Sequence, residues 1–120
     1  MTDKKYYFER DAESLAVGEI IDGLSRYHKK IFSKLHVEGE SSEEIAEKLN
    51  LDPETIEEIE CQIFEHLKQL ISLELGKEFG ADDTLSDVER DYVINAFRNE
   101  IYFREDRANY MRTRDLSHVP

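Results

Sequence analysis

The sequence predicts an all-α protein, a small helical bundle of 4–5 helices containing a helix-turn-helix. Three observations predict it. Apolar residues recur at helical spacing through most of the 120-residue chain. Two Ser-x-x-Glu boxes and one Asp-Pro step supply helix starts. Only five glycines and two prolines interrupt the pattern, and no convincing strand is present.

From Phe8, the positions Phe8, Ala12, Leu15, Ala16, Ile20 and Ile21 form a first helical stripe, which Gly18 weakens and Gly23 ends. Ser25 can cap a second helix with Tyr27, Ile31, Phe32 and Leu35 inward, and Glu38-Gly39-Glu40 stops it. Ser41 to Glu44 is a capping box opening a short helix that buries Ile45, Ala46 and Leu49. Asn50 is its left-handed stop, a conformation that Asn tolerates. Asp52-Pro53 opens the next helix with an N-cap acceptor and a proline at the first helical position. Its inner face reads Ile56, Ile59, Ile63, Leu67, Leu70 and Ile71, continuing to Leu75. Gly76 to Asp83 is a loop or hinge. The box Ser86 to Glu89 then starts a last helix with Val88, Tyr92, Val93, Ala96, Phe97 and Ile101 on one side. From Arg104 the periodicity fades. The expected organisation is a helical segment over 1–22, a helix-turn-helix over 23–75, a packing helix over 76–103 and a loose arginine-containing tail over 104–120.

Composition narrows the function. The net charge is −12, from 16 Lys plus Arg against 28 Asp plus Glu. Affinity for a phosphate backbone comes largely from basic side chains, so this chain starts with the opposite bias. The excess is uneven, because 98–120 holds five arginines and four acids. No apolar run approaches the roughly 20 residues of a membrane helix, and no hydrophobic signal core follows Met1-Thr2-Asp3-Lys4-Lys5. A single cysteine, Cys61, excludes an internal disulfide. A cytoplasmic protein is expected.

The stretch 24–71 carries the function. A short helix, a tight turn and a longer helix have the spacing of a helix-turn-helix, with Ala46 small where the helices cross. Leu24-Ser25, Ile31-Phe32, Leu35, Glu38-Gly39-Glu40-Ser41, Glu44-Ile45-Ala46, Leu49-Asn50-Leu51 and Thr55-Ile56 together resemble the promoter-reading C-terminal domain of bacterial sigma factors. They also resemble LuxR-type regulators. The resemblance implies a tri- or tetrahelical domain with Pro53–Leu73 in the recognition position, and a bacterial or phage origin. In the family that helix enters the major groove or docks beside other transcription proteins.

The outward positions of this recognition helix depart from the family's pattern. They fall at Glu54, Glu57, Glu58, Cys61, Gln62 and Glu65, where the family usually carries Arg, Lys, Ser, Asn or Gln. Residues 52–67 hold six acids and no Lys or Arg. In water each like-charge contact at 7 Å costs about 0.6 kcal/mol, and more near protein. The expected role is therefore a small transcription-associated regulator that binds a protein, such as RNA polymerase, a sigma factor or a DNA-binding protein. Glutamates on a helix can imitate phosphates, which points to DNA mimicry. The alternative is a sequence-specific DNA-binding regulator acting as a dimer, with phosphate contacts from Lys29, Lys30, Lys34, Arg104, Arg107, Arg112 and Arg114. A second alternative is a non-transcriptional assembly adaptor.

Catalysis is not expected. The histidines His28, His36, His66 and His118 form no metal spacing with Cys61. The chain has no P-loop, no GxGxxG, no HExxH and no nucleophile elbow. No cofactor or metal is implied. The aromatic groups Tyr6-Tyr7-Phe8 and Ile101-Tyr102-Phe103 are expected to pack on the core or on each other, or to form a dimer surface.

Overall fold

The structure, a computed structural model, describes residues 10–117, with side chains through Arg112. It is all-helical among these residues: α1 Ala12–Asp22, α2 Arg26–His36, α3 Ser42–Leu49, α4 Pro53–Leu75 and α5 Asp87–Ser117. The Tyr6-Tyr7-Phe8 group and His118 lie outside the described residues.

Local chemistry sets most boundaries. Asp11 caps α1 by accepting from the Ser14 amide at 2.8 Å, and Ser25 caps α2 from the His28 amide at 3.0 Å. Ser41 and Glu44 close both halves of the capping box before α3, at 3.1 and 3.2 Å. Ser86 and Glu89 do the same before α5, at 2.9 and 3.2 Å. Asn50 ends α3 at φ 57°. Gly76 ends α4 at φ 66°, a region in which a β-carbon clashes with the chain. Gly23 ends α1 with an ordinary right-handed φ of −67°, so its role is not left-handed geometry.

α4 is the central element and packs against the other four helices. One core cluster gathers Ile21, Phe32, Ile63, Leu67, Ile71 and Phe97 with their neighbours, and Phe32 meets the rings of Phe64 and Phe97 edge-on at 5.4 and 4.8 Å. A smaller cluster of Ile31, Ile45, Ala46 and Ile56 locks α3 onto α2 and α4. Ala46 is 1% exposed, as a helix crossing requires.

Several expectations are corrected. Tyr27, at the open first turn of α2, is exposed. Leu15 on α1 and Leu75, the last residue of α4, also face solvent outside both core clusters. Phe64, absent from the expected inner face, is buried. On α5 the inward stripe is Val93, Phe97 and Glu100. Val88 stands five residues from Val93, about 140° around the helix, and is exposed. Tyr92 is exposed as well. The largest correction concerns the expected loose tail. α5 runs unbroken for 31 residues through Arg104 to Ser117.

Charged contacts anchor the start of that extension. Glu100, 4% exposed, accepts from Arg10 and, at 2.6 Å, from Arg104. Arg104 also reaches Asp22 at 2.9 Å. The inner side of α5 thus adds ion pairs at Glu100 and Arg104 to the half-buried Ile101 and Phe103, and apolar periodicity cannot register ion pairs.

Candidate functional site: the outward face of α4

The turn between α3 and α4 is three residues, Asn50 to Asp52. The Leu51 amide bonds the Ala46 carbonyl at 2.8 Å, closing the end of α3. Asp52 stands at the N-cap of α4, but its side chain makes no capping bond. Pro53 has no amide to offer, and the Thr55 amide goes to the Asp52 carbonyl at 3.0 Å. The carboxylate of Asp52 is therefore left at the exposed helix start, where the helix dipole favours a negative charge.

Ile56 is buried and Ile59 half-buried on the inner side of α4, fixing its rotation. Glu54, Glu57, Glu58, Cys61, Gln62 and Glu65 consequently all stand exposed on the outer side. Glu65 pairs with Lys68 at 2.7 Å, which neutralises it in part. Glu60, half-buried at the flank, lies 2.6 Å from Nε2 of His36 on α2. Among the described residues no ion pair reaches Glu54, Glu57 or Glu58.

The candidate phosphate contacts lie elsewhere and are half consumed internally. Lys29 pairs with Asp22 at 3.1 Å and Lys34 with Glu40 at 3.5 Å. Arg104 is held by Asp22 and Glu100. Lys30, Arg107 and Arg112 are exposed, and the side chain of Arg114 lies outside the described ones. Asp22 receives two cations, and the Arg104 guanidinium foremost, then Lys29, hold its carboxyl below the ordinary value. Lys48 beside Glu40 does the same for that carboxyl.

Sequence reading missed two features near this face. Lys68, 7% exposed, is buried inside the bundle and donates to the Asp83 carbonyl as well as to Glu65. Arg90 lays its guanidinium 5.3 Å from the centre of the Phe64 ring. Both depend on the 76–86 linker folding back along α4, which no local pattern announces. At the opposite end of α4, the neighbouring Glu74 raises the Glu13 carboxyl of α1 above its ordinary value, first because a proton shared between the two carboxyls favours the neutral form and then through like charge.

Among the described residues no three His, Cys, Asp or Glu side chains are placed to hold a metal ion, and no helix is long and apolar enough to cross a membrane. In comparison with known proteins, no family model, no curated protein and no solved structure matches this chain.

Proposed function

We propose that the protein is a small regulator associated with the transcription machinery, which uses its helix-turn-helix to bind a basic protein surface rather than DNA. RNA polymerase, a sigma factor or a DNA-binding protein would supply that surface, and the cytoplasm is where it would be met. The observation that carries the reading is the unpaired charge of Glu54, Glu57 and Glu58 on the helix that a helix-turn-helix presents to its target. Glu54 and, about a turn further on, the adjacent Glu57 and Glu58 set three like charges on one face of a rigid helix, so they can fill a groove built for nucleic acid. The same charges repel a DNA backbone by about 0.6 kcal/mol per contact at 7 Å in water.

The test compares two targets at low salt: mixed-sequence double-stranded DNA and a bacterial RNA polymerase holoenzyme. Binding to polymerase, lost in Glu57→Lys/Glu58→Lys with the fold intact, supports the reading. Tight DNA binding with a steep salt slope overturns it in favour of a DNA-binding regulator using Lys30, Arg107 and Arg112. Binding to neither favours an assembly adaptor.

A further inference from the structure

On one flank of the acidic face the 76–86 linker and α4 enclose a notch of about 130 Å³. α4 contributes Cys61 and the ring of Phe64; the linker contributes Thr84 and the buried Leu85. The two cations at its rim are already engaged. Lys68 is held between Glu65 and the Asp83 carbonyl, and Arg90 lies over the Phe64 ring. The notch therefore offers the Phe64 ring and Leu85 as apolar wall, with no free cation and with Glu65, itself paired to Lys68, as the carboxylate in its lining.

Its position matters as much as its lining. Cys61, at the near edge of the notch, follows Glu58 by three residues and Glu57 by four, roughly 5–6 Å along the helix, and Glu54 by seven, about two turns. An anchor pocket beside a charged rim is the anatomy of a protein-binding hot spot. The volume is that of a single side chain, since a cavity of about 150 Å³ takes one benzene. A phosphate would find no free cation inside and three glutamates outside.

We infer that the notch takes one aliphatic or small aromatic side chain of a basic partner segment, whose Lys or Arg residues meet Glu57 and Glu58 about one turn from the near edge of the notch and Glu54 about two. This rests on the reading of the acidic face as a protein-binding surface. The charges steer the encounter and set its salt dependence, while the anchor sets how long the complex lasts.

The probe is a fluorescein-labelled helical peptide of lysines and alanines with one central leucine, alongside its twin with alanine at that place. Anisotropy titrations use the full chain at low salt. The leucine peptide binds about tenfold more tightly than its twin, as expected for burying most of one aliphatic side chain. Thr84→Trp, which fills the notch from an exposed position, removes that preference and leaves the alanine peptide's affinity and salt slope unchanged. Cys61→Phe fills it from the other wall should Thr84→Trp fail to fold. Glu57→Lys/Glu58→Lys weakens both peptides alike. Equal binding of the two peptides to the parent protein, or a leucine preference that survives the filled notch, overturns the inference while leaving the acidic-face reading standing. Indifference of both peptides to the glutamate reversal overturns that reading itself.

Discussion

The ring of His66 packs directly on the bare α-carbon of Gly23, where an added β-carbon would stand 2.7 Å from Cε1 and Nε2. The same ring bonds the Ile20 carbonyl through Nε2 at 2.6 Å, clasping the end of α1 to α4. Gly23 is required for close approach, because its φ of −67° suits any residue. Gly23→Ala should cost about 1–3 kcal/mol by overpacking, read from urea denaturation. The double variant Gly23→Ala/His66→Ala should cost less than the sum of its parts, because the clash is shared.

Asn50 sits at φ 57° and ψ 48° with its amide bonded into α3. Asn50→Ala should lower stability by about 1 kcal/mol, because alanine keeps the β-carbon that strains the left-handed region and loses the short polar side chain that lets asparagine tolerate it. Asn50→Gly should leave it within a few tenths of a kcal/mol, since glycine adopts this region without strain. Equal losses in the two variants would show that the side chain, not the backbone conformation, carries the cost.

Asp22 links folding to pH. Its carboxyl, held below the ordinary 3.8 by Arg104 and then Lys29, binds its proton less readily folded than unfolded. The stabilisation is complete above the unfolded value and is lost as the pH falls through the folded one. Asp22→Asn should therefore destabilise at pH 7 and converge with the parent as the pH drops below 3.8. Denaturation midpoints across that range check the sign. The effect is modest, because the Asp22 side chain is 54% exposed and screened by water.

Glu100 holds two guanidiniums from a buried position. Glu100→Ala should cost about 3 kcal/mol, the low end for breaking a buried pair, because Arg10 and Arg104 retain access to water at 14% and 33% exposure. Hydrogen exchange should rise from Arg104 onward in α5 while α3 and the first half of α4 stay protected. Glu100→Gln, which keeps an acceptor, should lose less.

The sequence makes legible those features whose causes lie within a few residues. The Ser25, Ser41 and Ser86 caps, the Asn50 stop and the outward rotation of Glu54, Glu57, Glu58, Cys61, Gln62 and Glu65 are of this kind. Each follows from a cap spacing or from helical periodicity. What stays hidden depends on partners far along the chain. Arg104 is ordered by Asp22, 82 residues away, so the end of α5 reads as a tail until the fold supplies the acid. Lys68 reads as a solvent lysine until the linker brings the Asp83 carbonyl to it. The notch beside Cys61 is hidden for the same reason, because Thr84 and Leu85 form its far wall.

The Arg10–Glu100 pair spans ninety residues of sequence. Its consequence is kinetic. α3 and α4, joined by a three-residue turn, can find each other early at little loop-closure cost, whereas the α1–α5 seam must wait for a ninety-residue loop to close. A nascent chain would therefore display its glutamate helix well before its two extremities zip together.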